Sequence, residues 1–328
     1  MAPRPGQRAP GTTLSRAGGP LVTALCGGVG AARLLAGLVD VVDPRRVVAV
    51  VNTGDDAVLH GLHVSPDLDT VTYTLAGAIS RERGWGLEGE TWTAMEALAR
   101  YPSRFAWFGL GDRDLATHLF RTQRLGDGAL LSTVTGEIAA AWDVEVSILP
   151  VTDDRLETMM EVEDEGEIGF QDYFVRRAHA VAVKGVRFRG ADAARPAPGV
   201  LDALTAAQIV VICPSNPVVS IGPLLAVPGV RDAVAARRDR VVAVSPIVAG
   251  AALKGPADRL LRELGHEVSV VGVARLYAPL AATLVVDEAD AVLAPEVEAA
   301  GMRCVVTPTV MRGRAEAAAL ARAVMDAA

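Results

Sequence analysis

Short runs of consecutive, mostly apolar residues most strongly limit the folds open to this chain. They occupy residues 21–26, 47–51, 209–212, 241–244, 268–271, 283–286 and 304–307. Strands that are apolar along their whole length are typical of a parallel sheet with helices on both faces, because neither side of such a strand meets water. Stretches with helical periodicity separate several of the runs. The sequence therefore predicts an α/β protein with a Rossmann-like, doubly wound and largely parallel sheet.

Residues 73–199 interrupt this pattern and are predicted to form an inserted lobe. The first part of the lobe has little strand character, and helical periodicity is clearest over 93–101 and 114–125. A short strand is predicted over 145–150. The alternating character of residues 157–190 indicates a small β-rich insertion with a charged turn.

The remaining boundaries divide the chain into a tail and one domain. Residues 1–20 are rich in proline, glycine and arginine and lack apolar periodicity, which is typical of a disordered tail. Residues 21–328 are long enough to bury a large core and are predicted to form a single domain. Its sheet core is expected from 21–72 and 200–328.

Composition excludes several kinds of partner. The net charge of −7 argues against nucleic-acid binding, which needs a basic face. No apolar stretch approaches the length of a membrane span, and Gly27, Gly28 and Gly30 break the first apolar run too early for a signal peptide. The three cysteines lie far apart without metal-ligand spacing. A cytoplasmic protein is therefore expected.

Four carboxylates follow the second apolar run within fifteen residues: Asp55, Asp56, Asp67 and Asp69. Crowded acids repel one another, and a divalent metal with a phosphate ligand would offset that repulsion. Mg²⁺ needs only one or two protein carboxylates, and Asp55 and Asp69 are the predicted ligands. The alternative is a solvated loop in which Asp69 caps the helix that follows.

The turn after the first apolar run is rich in glycine and opens a predicted helix. The backbone amides of Gly27, Gly28 and Gly30 are predicted to bind a phosphate, with Arg33 adding a charged contact. The alternative is a tight turn needed only for packing. The turn does not match a dinucleotide fingerprint, because Arg33 stands where Gly or Ala is expected and the next strand ends in Asn52, not in an acid. Asn52 remains a candidate substrate ligand.

A second polar loop contains Asp112, Arg113 and Asp114 between glycines and a helix start. Such a triplet can hold an arginine in a fixed orientation for an anionic substrate. The alternative is a helix cap with an incidental arginine. His118, four residues after Asp114, lies on the same helix face, where a structural role and a catalytic role are both open.

Two loops after later apolar runs supply further candidates. Ser215 and Asn216 follow the run 209–212, and Ser245 follows 241–244 with Lys254 beyond it. Their short polar side chains could bind phosphate or base edges. The alternative for each loop is a turn stiffened by proline.

Several motifs follow one another along residues 21–328. They are GGVGAARLL, VVNTGDD, SPDLDTVTYTL, RGWG, ETW, WFGLGDRDLATHLFRTQ, FQDYFVRR, PSNPVVSIGP and SPIVAGAALKGPAD. In this order they resemble the phospholactate or phosphoenolpyruvate transferase family of coenzyme F(420) biosynthesis. The resemblance covers all of the chain except the tail.

This resemblance implies a magnesium-dependent transfer onto 7,8-didemethyl-8-hydroxy-5-deazariboflavin, a deazaflavin. The implied donor is a guanosine diphosphate ester of lactate or enolpyruvate, and GMP leaves when the ribityl hydroxyl attacks. The family pattern places the deazaflavin and the metal at Asp67 and Asp69, with Asp55 and Asp56 nearby. Either Asp69 or Asp55 could accept the hydroxyl proton. Arg113 could steady the donor carboxylate.

Several points stay open on the sequence alone. A non-catalytic, nucleotide-sugar-binding regulator of the same fold is the main alternative, and an NAD-linked oxidoreductase is a weaker one. The donor acid is undecided between lactate, enolpyruvate and a relative. Trp85, Trp92 and Trp107 could wall a flat ring or pack in a core. Apolar stretches in the C-terminal half are compatible with a homodimer.

Overall fold

The computed structural model describes residues 21–102, 105, 107–163 and 165–328. The predicted tail, 1–20, lies outside these residues. The α/β class is confirmed, because seven parallel strands form one central sheet with helices packed on both faces. Among the described helices, none combines the length and the apolar character that a membrane span requires.

The strands are numbered in chain order. They are β1 (Val22–Cys26), β2 (Val47–Val51), β3 (Ala57–Leu59), β4 (Leu62–Val64), β5 (Ser147–Pro150), β6 (Glu157–Val162), β7 (Gly166–Gly169), β8 (Val183–Arg189), β9 (Ile209–Ile212), β10 (Val241–Val244), β11 (Ile247–Val248), β12 (Ala251–Ala252), β13 (Thr283–Val286) and β14 (Arg303–Val306).

The α-helices are numbered in the same way. They are α1 (Gly28–Leu38), α2 (Pro66–Leu75), α3 (Thr93–Leu98), α4 (Asp114–Gly126), α5 (Leu131–Ala141), α6 (Val200–Ala206), α7 (Gly222–Ala226), α8 (Val230–Ala235), α9 (Ala257–Glu263), α10 (Val270–Tyr277), α11 (Ala294–Ala299) and α12 (Arg314–Asp326).

The central sheet has the strand order β14-β13-β10-β9-β1-β2-β5. Alternate residues of each inner strand face opposite layers: Val48 and Val50 pack with helices α6, α7, α8 and α10, while Val47 and Val51 pack with α1, α2 and α12. Burying each such side chain contributes about 1.5–3 kcal/mol, which explains why the apolar runs form strands. The sheet is therefore the core of the molecule.

The segment predicted as an inserted lobe contributes to this sheet. β5 lies within 73–199 and pairs in parallel with β2 at the sheet edge. The rest of the segment holds helices α3, α4 and α5 and a small antiparallel sheet of β7, β6 and β8. The predicted helices and the β-rich insertion are thus found, and the lobe is joined to the core through one edge strand.

The predicted strand over residues 268–271 is wrong. Ser269 caps a helix instead, and its hydroxyl accepts 3.1 Å hydrogen bonds from the amides of Val271 and Gly272. The helix α10 then buries Val270, Val273, Ala274 and Tyr277, which recur at helical spacing. Ser269 and the apolar residues that follow it at helical spacing are typical of a capped helix. Val268, Val270 and Val271 resemble a strand only when the residues after them are left out.

Candidate functional site

A cavity of about 420 Å³ opens at the carboxyl ends of β1, β2 and β9. The chain passes from β1 to β2 on one side and later returns to β9 on the other side of β1. The cavity therefore lies at the topological switch point of the sheet, where open α/β sheets bind their ligands. The segment 73–199 supplies the opposite wall through Trp85, Phe108, Asp114, His118, Phe170 and Phe174.

The glycine-rich turn after β1 lines the cavity and forms the start of α1. Gly28 has a φ of +67°, a left-handed value that favours glycine. A Cβ atom at Gly30 would lie 2.2 Å from the carbonyl oxygen of Pro214, so glycine is needed for this close approach. The amide of Gly27 donates to Oγ of Ser215 over 3.2 Å, and that hydroxyl donates back to the Gly27 carbonyl over 2.7 Å. The turn is thereby fixed to the loop that follows β9.

Asp67 lies in the first turn of α2 with its carboxylate against the start of α1. Its Oδ2 accepts a 2.9 Å hydrogen bond from the side-chain nitrogen of Asn52, whose oxygen accepts from the amide of Gly54. Burial raises the pKa of Asp67 to about 6, although hydrogen bonds from Asn52 and from the amide of Gly28 favour the charged form. Asn52 therefore orients an acid, and the Gly28 amide, predicted to bind phosphate, already has a carboxylate partner.

Asp55 and Asp56 follow β2, and neither forms an ion pair with a basic side chain among the described residues, although the charge of Arg121 partly opposes the rise in the pKa of Asp56. Ser65 donates a 2.6 Å hydrogen bond to Asp56, and the Oδ1 atoms of both acids are buried without a hydrogen-bond partner among the described residues. Burial, and then the charge of Asp67, raise the pKa of Asp55 well above its ordinary value, and burial raises the pKa of Asp56. We call Asp55, Asp56 and Asp67 the uncompensated acids, because no basic side chain in the described ranges forms an ion pair with them.

Asp69 and Asp114 are the compensated acids. Both oxygens of Asp69 accept hydrogen bonds from the guanidinium of Arg121, one of them over 3.1 Å. Nε2 of His118 lies 3.2 Å from Oδ2 of Asp114, and the hydroxyl of Tyr73 donates to Oδ1 of Asp114 over 2.6 Å. Burial opposes ionisation of Asp114, but its contacts with His118 and Tyr73 outweigh that effect and lower the pKa of Asp114 below its ordinary value.

Two groups of side chains offer ligand atoms for a divalent cation. Asp69, Asp114 and His118 bring one ligand atom each within 4.8 Å of the others. The guanidinium of Arg121 lies against this trio, 3.3 Å from Nδ1 of His118, and supplies positive charge there. No basic group shifts the pKa of Asp55 or Asp67 in this way, and the unpartnered Oδ1 of Asp55 suits Mg²⁺. Of the two predicted metal ligands, Asp55 belongs to the uncompensated group and Asp69 to the compensated one.

Aromatic side chains form much of the wall that the segment 73–199 supplies. The rings of Phe170 and Phe174 are stacked, with centroids 5.4 Å apart and planes 9° from parallel. Trp85 lines the rim and is 45% exposed, with Trp92 packed edge-on behind it. Trp107 lies outside the lining. A cavity with flat, apolar walls and acids on one side suits a flat ligand with a polar tail.

Of the predicted substrate ligands Lys254, Asn216 and Arg33, the first two line the cavity and Arg33 lies outside the lining. Nζ of Lys254 donates a 2.9 Å hydrogen bond to the carbonyl oxygen of Arg83. Burial, and then the charge of Arg33, lower the pKa of Lys254. The guanidinium of Arg33 itself donates to the carbonyl oxygen of Met311. Asn216 lines the cavity and uses its Oδ1 to cap the next turn through two backbone amides.

Ser245, Asp112 and Arg113 do not belong to the cavity lining. Oγ of Ser245 donates to a carbonyl oxygen two residues on, which fixes its own turn. Asp112 accepts hydrogen bonds from two amides at the start of α3, as expected of a helix cap. Arg113 is exposed and donates to the carbonyl oxygen of Glu88. The contact of Arg113 with a donor carboxylate stays a prediction.

Arg121, Tyr73 and Gln171 are site residues that the sequence analysis missed. Gln171 lines the cavity and donates a 2.9 Å hydrogen bond to the backbone carbonyl oxygen at position 55. One signal was present: Asp114, His118 and Arg121 recur at i, i+4 and i+7, which places them on one face of a helix. A charged residue is usually exposed, so this face is easily taken for a solvated one.

Comparisons with known proteins agree with the motifs. The family described as 2-phospho-L-lactate transferase CofD matches residues 22–310. A protein of Streptomyces griseus named phosphoenolpyruvate transferase is 47% identical over 94% of this chain and 98% of its own length. One of Thermobifida fusca with the same name is 45% identical over 94% and 97%. The fold is similar to that of a UPF0052 family protein from Bacillus halodurans, with a TM-score of 0.61, 17% identity and coverage of 95% and 100%.

Proposed function

The chain belongs to the 2-phospho-L-lactate transferase CofD family and is a transferase of that type, and from this premise we propose its donor, acceptor and leaving group. The donor is a guanosine diphosphate ester of enolpyruvate or lactate. The acceptor is the terminal ribityl hydroxyl of 7,8-didemethyl-8-hydroxy-5-deazariboflavin, and GMP is released. The printed names of the relatives from Streptomyces griseus and Thermobifida fusca favour enolpyruvate as the acid.

One observation carries the proposal: the switch-point cavity joins an aromatic wall to a row of acids. The stacked rings of Phe170 and Phe174 suit a tricyclic deazaflavin, and Trp85 adds a flat surface at the rim. Asp67 and Asp69 line the same cavity, where the polar ribityl chain would meet them.

The transfer needs placement and charge neutralisation more than a covalent nucleophile. The ribityl oxygen forms a bond to the phosphorus that carries the acid, and the bond from that phosphorus to the bridging diphosphate oxygen breaks. The departing oxygen leaves with GMP. The hydroxyl proton passes to a carboxylate of the cavity, Asp55 or Asp69. Lys254 lines the cavity, and its charge together with that of Arg33 would hold the negatively charged donor.

The acids of the cavity fit the magnesium ion that this chemistry uses. Asp55 lines the cavity, and its buried Oδ1 has no hydrogen-bond partner among the described residues, as expected of an atom that faces a cation. Asp55 and Asp69 would hold the ion, with Asp67 beside Asp55. Bound there, Mg²⁺ supplies positive charge that offsets the diphosphate. The protein contributes the orientation of the acids through Asn52 and Arg121.

The test is a direct assay of turnover. Purified protein is mixed with Mg²⁺, the deazaflavin and either enolpyruvyl- or lactyl-diphosphoguanosine, and GMP and the phosphodiester product are measured by chromatography. We expect equal amounts of both products, and none after chelation of the metal. The exposed variant Asp202→Asn, on α6, serves as the matched control for acid removal.

The outcomes separate the transferase from the regulator of the same fold. Absence of GMP with either donor, together with saturable binding of a nucleotide sugar, would favour the regulator. GMP without the deazaflavin product would show hydrolysis, and the proposed acceptor would then be wrong.

A further inference from the structure

Arg121 is a charged side chain in a place where charge is costly. It lies on α4, and its side chain is only 2% exposed, which makes it one of the largest fully buried side chains among the described residues. Arginine is almost never fully buried unless it is paired. Its burial therefore needs a reason in the contacts that the guanidinium makes.

The guanidinium holds the carboxylate of Asp69 by two hydrogen bonds. Nη1 donates to Oδ2 over 3.1 Å, and Nη2 donates to Oδ1. A planar fork on a planar carboxylate fixes both the distance and the plane of the acid, which a point charge such as lysine cannot do. Nη1 also donates to the carbonyl oxygen of His63 over 3.4 Å. Asp69 lines the cavity, so Arg121 sets the orientation of a cavity acid from behind.

A second layer fixes the guanidinium itself. Nη1 of Arg121 lies 3.3 Å from Nδ1 of His118. Because arginine can only donate, this contact requires Nδ1 to accept, and the other ring nitrogen, Nε2, lies 3.2 Å from Oδ2 of Asp114. The hydroxyl of Tyr73 donates to the other oxygen of Asp114. The contacts thus run from Tyr73 on α2, through three residues of α4, and back to Asp69 on α2.

We propose that Arg121 is a positioning residue for the transfer, holding Asp69 in the orientation that the reaction requires, with His118 and Asp114 fixing the guanidinium in turn. This inference rests on the proposed function. This role differs from that of a contact that only joins α2 to α4, because such a contact would affect stability alone. A positioning residue must also affect the chemical step in protein that remains folded.

Arg121→Lys is the central variant, because it keeps the charge and loses the fork. Misplacing a reacting group by about 1 Å costs about 100-fold in rate, so we expect kcat to fall by about that factor. The KM values of donor and acceptor should stay within about threefold, since neither substrate touches Arg121. Arg121→Ala should lose more activity, and millimolar guanidinium should restore at least part of it.

The matched control is Arg124→Lys on the same helix. Arg124 forms a partly exposed ion pair with Glu137, away from the cavity, and its variant should keep full activity. Thermal unfolding and deazaflavin fluorescence are recorded for every variant, so that kcat is calculated per folded, acceptor-binding molecule.

Three results would overturn the inference. One is a folded Arg121→Lys protein with kcat within twofold of the wild type. Another is a loss of activity that matches the loss of folded protein, including failure of both variants to fold, since Arg121 would then be only structural. The third is a folded, acceptor-binding wild type without turnover, which overturns the proposed function and this inference with it.

Discussion

Two compensated acids, Asp69 and Asp114, and two uncompensated acids, Asp55 and Asp67, line one cavity and differ in the partners that surround them. Asp69 and Asp114 have a buried arginine, a histidine and a tyrosine hydroxyl around them. Asp55 and Asp67 have only neutral hydrogen-bond donors, and burial and mutual repulsion raise the pKa of Asp55. The difference shows that one half of the site is electrostatically complete in the protein alone. The other half has only neutral hydrogen-bond donors, and the proposed Mg²⁺ would supply the positive charge that it lacks.

The largest effect is expected for Asp69→Ala. Turnover should fall by at least about 1,000-fold, because the variant loses a cavity acid, and the free energy of unfolding should fall by about 3–5 kcal/mol, because Arg121 is left buried without its partner. GMP release and urea unfolding measure the two effects. Near-normal GMP release would remove Asp69 from the reaction. An unchanged unfolding free energy would contradict its description as a compensated acid.

Asp55→Asn should show the opposite effect on stability. In metal-free protein the variant removes a buried repulsive charge, so its free energy of unfolding should rise by about 1 kcal/mol. Mg²⁺ at about 100 times its Kd should stabilise the wild type by about 2.7 kcal/mol and the variant much less. Thermal unfolding with and without Mg²⁺ tests this, with Asp202→Asn as control. Equal stabilisation of both proteins by Mg²⁺ would show that Asp55 is not a ligand.

The pH dependence of stability should also separate the two groups. The pKa of Asp67 is about 6 in the folded protein and about 4 when unfolded, so between these values the folded state holds a proton that the unfolded state has released. The free energy of unfolding contributed by Asp67 therefore falls as pH rises through this window, by at most about 3 kcal/mol. Chemical unfolding of chelated wild type and Asp67→Asn from pH 4 to 8 should give a shallower slope for the variant. Identical slopes would contradict the prediction.

The smallest effect is expected outside the cavity lining. Arg33→Ala should raise the KM of the donor by about 3- to 10-fold through loss of a charged contact, while the free energy of unfolding changes by less than about 1 kcal/mol because the side chain is exposed. Steady-state kinetics with varied donor measures this. Arg45→Ala, which removes an exposed partner of Asp43, is the control. An unchanged donor KM would place Arg33 outside the donor site.

The sequence predicts the central sheet well, and physical reasons explain where it fails. β9 and β10 have the predicted bounds. All four residues of each strand are apolar, and such a strand avoids water only when other layers of the protein cover both faces of the sheet. The strand predicted over residues 268–271 is wrong because so short a set of apolar residues fits the periodicity of a strand and that of a helix. Local crowding predicts that Asp55, Asp67 and Asp69 lie together, and all three line one cavity, while their roles in the reaction stay predictions. Arg121 was missed because its burial depends on the approach of α2 to α4, which local sequence does not encode.

The hydrogen bonds between Gly27 and Ser215 join residues that are 188 positions apart along the chain. At a synthesis rate of about 5–20 residues per second, roughly 10–40 s separate the emergence of the two loops from the ribosome. During that interval Asp55, Asp67 and Asp69 have already been synthesised, whereas β9, at one side of their cavity, has not. A nascent chain halted before β9 should consequently be unable to bind either reactant, so the ability to bind them would be acquired late in translation.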